Sequence, residues 1–193
     1  MIDNYALLVP LLKFESEDDF YYLQILQRKK ENTEVGKNSN SVREFYIGNL
    51  EYLERKWSLI KALCEVFNAR ACLRMNRRSW RQCALRSMEK IAGQIVCNDF
   101  RSVAKYYSRV AGTYHNETPA RWIVDLDENN LVLIHEIAEY INTLRPEGNK
   151  ILATVPSKNG WHLLTNPFDV QEFNKKGYKV ELHKDNPENL YIP

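Results

Sequence analysis

Ser157-Lys158-Asn159-Gly160 separates two short apolar runs, 150–156 and 161–165, and it constrains the chain more than any other stretch. Asn-Gly tolerates the positive φ angles of a tight two-residue turn, so the flanking runs are expected to pair as an antiparallel hairpin. Outward from that hairpin the pattern repeats on both sides. Upstream, 121–127 reads as a strand, and Asn129 or Asn130 caps a helix bearing Ile134, Ile137, Ala138, Ile141 and Leu144, which ends at 145–149. Downstream, Asn166-Pro167 opens a short helix with Pro at its first position; the helix carries Val170 and Phe173, and Gly177 closes it. A last strand is expected over 178–184.

The order strand, helix, strand, strand, helix, strand is that of the ferredoxin-like or RRM-like unit, in which the first strand pairs with both the third and the fourth. Alternation along strands then assigns the faces. Trp122, Val124, Leu126, Trp161, Leu163, Tyr178, Val180 and Leu182 face the helices. Asp125, Asp127, His162, Glu181 and His183 share the opposite face, read as an uncovered surface. Asp125 and Asp127 stand two residues apart on one strand face, roughly 6–7 Å, and repel by about 2–3 kcal/mol at an effective dielectric near 20. A divalent cation removes that repulsion, and hard cations take carboxylate oxygen. An acidic face without stacking rings repels nucleic-acid phosphate unless it holds metal, unlike the face of an RNA-reading RRM.

The upstream half is read as a mainly helical α/β lobe over 1–118, with residues 119–193 as the second lobe and a polar linker over 112–119. The fold class is thus α+β with two lobes. Residues 20–26 suit a strand, with a helix as a near-equal alternative; 31–42 read as a polar loop, and a long helix is expected from Arg43 to Phe67. A strand follows over 69–75. Ser79, with Gln82 three residues on, has the form of a capping box that starts the next helix, and 99–111 is read as a further helix. No acidic residue falls between Glu65 and Glu89, whereas Arg70, Arg74, Arg77, Arg78, Arg81 and Arg86 all do; of these Arg70, Arg74, Arg77 and Arg78 are candidates for nucleic-acid contact.

Composition narrows the class. Hydrophobic content of 44%, charged content of 27% and a net charge of +2 are those of an ordinary globular chain. Residues 1–13 have no basic n-region, and Pro10 interrupts the apolar run, so no signal peptide is expected. No apolar run reaches membrane-spanning length, so no membrane partner is expected. Cys64, Cys72, Cys83 and Cys97 form no Cys-x-x-Cys pair, which argues against zinc and for reduced thiols in a cytoplasmic setting.

Val124-Asp125-Leu126-Asp127 resembles the Asp-hydrophobic-Asp first motif of the archaeo-eukaryotic primase superfamily, and the 157–163 stretch, a small-residue turn followed by a strand histidine, is similar to its second motif. The resemblance covers about residues 69–185. It implies a primase or primase-polymerase core, a metal-dependent nucleotidyltransferase of DNA replication. Asp125, Asp127 and a third acid, Glu181 with Asp185 as the alternative, would then bind Mg²⁺ or Mn²⁺. Ser157, Lys158, Gly160 and His162 would contact the incoming nucleotide. Nucleoside triphosphates and a single-stranded template are the implied partners, with a replicative helicase as a further candidate. Two departures stand out: Ser157 lies five residues before His162, where the family often has Ser-x-His, and no zinc-binding cysteines accompany the core. Two other readings compete. One is a non-catalytic nucleic-acid-binding replication-accessory protein. The other is a metal-dependent phosphoesterase built on His162 and His183, although neither histidine lies in a His-x-Thr/Ser motif.

Overall fold

A computed structural model describes residues 1–32, 38–127 and 129–193. The chain is α+β, with two antiparallel sheets and, among the described residues, six α-helices. In order the elements are β1 (Ile2–Asp3), α1 (Tyr5–Leu8), β2 (Asp19–Gln27), β3 (Asn40–Ile47), α2 (Leu50–Val66), β4 (Arg70–Arg74), β5 (Arg78–Ser79), α3 (Trp80–Val96), α4 (Tyr106–Thr113), β6 (Trp122–Leu126), α5 (Leu131–Thr143), β7 (Ile151–Pro156), β8 (Trp161–Thr165), α6 (Val170–Asn174), β9 (Glu181–His183) and β10 (Pro187–Ile192). Two 3-10 turns, Val9–Leu11 and Val103–Lys105, precede β2 and α4. Among the described residues no helix is long and apolar enough to cross a membrane.

The first sheet runs β1-β10-β4-β2-β3, with β5 added against β2. Residues 20–26 are strand, as their aromatic and β-branched content favours. The long helix does not begin at Arg43. Val42, Phe45 and Ile47 belong to β3, whose pairing with β2 overrides the helical spacing of the segment. The helix starts seven residues later, where Asn49 accepts from the Tyr52 amide at 2.8 Å. Of the loop expected over 31–42, residues 33–37 lie outside the described residues, and Asn40 is already in β3. Ser79 does cap α3, accepting from the Gln82 amide at 3.0 Å. Gly112 lies inside α4, so the linker begins after Thr113. One face of this sheet packs Leu23, Ile25, Phe45, Ala71 and Leu73 against Leu53, Ile60 and Cys64 of α2. At one end of the other face, Phe20 and Tyr22 pack with Cys83, Val110 and Ala111 of α3 and α4.

The second sheet runs β7-β8-β6-β9. Trp122–Leu126 pairs with β8 on one side and β9 on the other, which puts Asp125 opposite both His162 and Glu181. Val124, Leu126 and Leu163 are buried against Ile134, Ile137 and Ile141 of α5 and Phe173 of α6, with Trp122, Trp161, Tyr178, Val180 and Leu182 packed around them. The expected last strand shortens to three residues, and α6 starts at Val170 under an Asp169 cap, after the Asn166-Pro167 pair.

Two features revise the division at residue 118. β10, at the end of the segment assigned to the second lobe, is an interior strand of the first sheet, between β1 and β4. The carboxylate-bearing face of the second sheet is also not uncovered. Ile123, Val155 and Leu164 on that face belong to the same buried cluster as Leu23, Leu73 and Leu190 of the first sheet. Each such side chain contributes about 1.5–3 kcal/mol on burial, so the sheets are joined by a common core. Buried Asn4 adds a polar tie, donating to Pro156 O at 3.0 Å and Asn189 O at 2.8 Å.

Candidate active site between the sheets

Beside the shared core lies a polar cleft of about 350 Å³, lined from both sheets. The second sheet and its hairpin turn contribute Asp125, Asp127, His162, Glu181, His183, Ser157 and Lys158. Arg28, Arg70, Cys72 and Asn189 face them from the first-sheet side. Of the residues singled out from sequence, the acids, His162, Ser157, Lys158 and Arg70 are therefore brought together. The cleft is not purely acidic, because Arg28 and Arg70 approach from a sheet whose proximity no local pattern reveals.

His162 is its most constrained group. Nδ1 lies 2.7 Å from Oε1 of Glu188, a fully buried side chain on β10. Nε2 lies 3.3 Å from Oδ1 of Asp125. Burial alone would depress the imidazole's pKa, but the two carboxylates outweigh it and push it up to about 10. His162 is thus an imidazolium at neutral pH. It holds the Asp125 carboxyl below its ordinary range. With both ring nitrogens engaged, His162 orients and neutralises Asp125 and has no free N–H to offer a nucleotide.

The acids differ in setting. Asp125 is partly buried, and its Oδ1 is held by His162. Asp127 is exposed at the strand's end. Glu181 is largely exposed, and its Oε2 lies 3.4 Å from His183 Nε2. Among the described residues no three His, Cys, Asp or Glu side chains form a ready-made metal cluster. Asp185, the alternative third acid, is committed elsewhere. Its carboxylate lies 3.0 Å from Arg78 and 3.5 Å from Arg74 and accepts from Asn76 at 2.8 Å.

The turn is closed by Ser157 N donating to Gly160 O at 2.9 Å. Lys158 Nζ reaches Glu31 Oε1 at 2.9 Å, and Arg70 is paired with the same carboxylate. Burial would raise the Glu31 pKa, but its two cationic partners bring it down to about 2. Glu31 thus holds two of the cleft's cations at its rim.

The arginine-rich surface expected over 70–78 does not form. Arg78 is fully buried, donating to Ala111 O at 2.9 Å and pairing with Asp185. Arg77 is buried among Glu15 at 2.8 Å, Asp19 at 3.4 Å and Glu117 at 3.7 Å. Both are structural, and their acids come from distant parts of the chain. Arg74 also pairs with Asp185, and Arg70 alone of the four lines the cleft.

Sequence reading missed Glu188, Glu31 and Arg28. Leu190, Tyr191 and Ile192 carried a strand signal that would have placed Glu188 on β10. Glu31 and Arg28 carried none, sitting at the start of a polar loop. No protein-family model, curated protein or solved structure matches the chain.

Proposed function

We propose that the chain is a metal-dependent nucleotidyltransferase of primase-polymerase type, a member of the archaeo-eukaryotic primase superfamily whose second sheet and helices form an RRM-like catalytic unit. The observation that carries this reading is the cleft: carboxylates at the end of the central strand β6 open toward cations contributed from another sheet. The strand order β7-β8-β6-β9, with helices on one face, supports the RRM-like part.

The donor set suits Mg²⁺ or Mn²⁺. Asp125, oriented by His162 at 3.3 Å, lines the cleft, and Asp127 lies two residues further along the same chain and lines it too. Mg²⁺ commonly takes one or two protein carboxylates and fills its remaining positions with water and phosphate oxygens. Asp125 and Asp127 would hold the ion, with Glu181 within the same cleft. When bound, the ion supplies charge neutralisation for a nucleoside triphosphate and acidifies an attacking hydroxyl. Lys158 and Arg70 offer positive charge to phosphate oxygens at the opposite rim. His162, held by Glu188, fixes the direction of Asp125.

The test is incorporation of labelled nucleotides on a single-stranded template with Mg²⁺ or Mn²⁺, by the native protein and by Asp125→Ala/Asp127→Ala. Incorporation by the native protein and a loss of at least a hundredfold in the variant are expected. Equal incorporation by both, or none by the native protein with either metal, would refute the reading. The exposure of Glu181 and its pairing with His183 favour one alternative, a nucleic-acid-binding protein without catalysis. That protein would bind strands with unchanged affinity in the Asp125→Ala/Asp127→Ala variant.

A further inference from the structure

A second hollow, of about 280 Å³, lies on the first sheet away from the acidic cleft. Its floor is Tyr22 on β2 and Arg74 on β4; Lys105, Ser108, Arg109 and Thr113, from the 3-10 turn and α4, form its wall. Tyr22 is completely buried, and its hydroxyl has no hydrogen-bond partner. Arg74 Nε is likewise buried and unpartnered. Both are donors. A buried polar group without a partner is costly and asks for an explanation, an ion or water among them. Glu44 also lines the hollow; burial and the Glu44 carboxylate beside it raise the Tyr22 phenol's pKa, and Glu44 accepts from Tyr46 at 3.3 Å. Arg74, Lys105 and Arg109 thus bring three cations to the hollow, against Glu44 within it and Asp185 paired with Arg74, and the Arg74 Nε at its floor lacks an acceptor. A tetrahedral oxyanion supplies acceptors and negative charge together.

We propose that this hollow binds a phosphate group, with Tyr22 and Arg74 at its floor and Lys105 and Arg109 closing over it. Alternation along β4 puts Arg70, Cys72 and Arg74 on one face of the sheet. Arg70 and Cys72 line the acidic cleft and Arg74 lines the hollow. Four residues of strand span about 13 Å, a distance a few nucleotides of an extended strand cover. The source of the phosphate is then the backbone of a single strand running toward the cleft; this choice of source rests on the function proposed above, whereas the phosphate site does not.

The experiment has two arms, both without nucleotide or metal, so failure of nucleotide incorporation does not decide it. In the first, a fluorescently labelled single-stranded oligonucleotide is titrated with the native chain, with Lys105→Ala/Arg109→Ala and with Tyr22→Phe at several salt concentrations. Lys105 and Arg109 are exposed, and phenylalanine keeps the buried ring of Tyr22, so both variants are expected to fold. The double variant should bind about tenfold more weakly, with a salt slope shallower by about 1.4, from about 0.7 per phosphate contact on a single strand. Tyr22→Phe should bind severalfold more weakly. In the second arm, inorganic phosphate should raise the melting temperature of the native chain and not that of the double variant. A response to phosphate with unchanged oligonucleotide affinity supports the site with a free anion as its source. Unchanged oligonucleotide affinity in both variants together with no phosphate-dependent shift overturns the proposal.

Discussion

Replacing Asp185 by Asn separates two roles for this acid, metal ligand and buried counter-ion, because they predict opposite losses. The carboxylate takes 3.0 Å and 3.5 Å contacts from Arg78 and Arg74 and accepts from Asn76 at 2.8 Å. Arg78 is fully buried; desolvation pulls its pKa down to about 10 even with Asp185 beside it. Asparagine keeps the volume and an acceptor oxygen but removes the charge. Removing one partner of a buried ion pair costs about 3–5 kcal/mol. Asp185 is 18% exposed, and Arg78 also donates to the carbonyls of Ala111 and Asn76, so the lower end applies, about 3 kcal/mol. For 193 residues the entropy of unfolding is about 0.4 kcal/mol/K, which converts that loss into a fall in melting temperature of about 7 °C. Urea denaturation and calorimetry read both quantities. Arg78→Met/Asp185→Leu, which removes both charges, should recover part of the loss, since an apolar pair of similar volume needs no desolvated charge. A loss below about 1 kcal/mol in Asp185→Asn, or intact stability with abolished nucleotide incorporation, would refute the assignment to structure.

Two further outcomes follow from named groups. His162 has a folded-state pKa near 10 against an unfolded value of about 6.5. Its contribution is therefore complete below pH 6.5 and is lost as pH rises toward 10, because the native state holds the proton that the unfolded state releases. Metal-free native protein minus His162→Gln, measured by urea denaturation from pH 6 to 10, should shrink by on the order of 3 kcal/mol, at no more than about 1.4 kcal/mol per pH unit. The buried thiols of Cys64, Cys72 and Cys83, also raised by burial, act in the same direction but equally in both proteins. A difference that stays flat across that range would show that the imidazolium is not held by Glu188 and Asp125. Separately, Asn49→Ala removes the side-chain cap of α2 and should cost about 1 kcal/mol in chemical denaturation, with Asn49→Gly costing only a few tenths.

What the sequence made legible was local. The Asn-Gly turn set the β7–β8 hairpin, and alternation along 122–126 assigned Val124 and Leu126 to the helices and Asp125 to the other face. Both depend on neighbours in the chain. The error over 43–49 came from the same source. Tyr46 and Leu50 keep helical spacing, but the first lies on a strand paired with Tyr22 and the second begins a helix. A four-residue interval does not reveal the break between them, because cross-strand pairing is a long-range interaction. The arginine misreading is of this kind too. Counting acids between Glu65 and Glu89 measures local charge, whereas Arg77 finds Asp19 58 residues away and Arg78 finds Asp185 107 residues away.

The cleft depends on the same long-range closure. β10 lies between β1 and β4 in the first sheet, and it follows β9 of the second after a connection of three residues, 184–186. So short a connection ties the two sheets together at the cleft. In the same step it brings Glu188 to His162 and Asp185 to Arg74 and Arg78. The histidine's charge, the direction of Asp125 and the burial of two arginines are therefore consequences of one short connection. A lobe cut at residue 118 would keep both carboxylates of the Asp-Leu-Asp motif and Glu188 with them. It would lose β4, against which β10 must pair to hold Glu188 in place, along with the cations that face the acids. The acids belong to the second sheet, but the cleft that gives them chemistry is made by both.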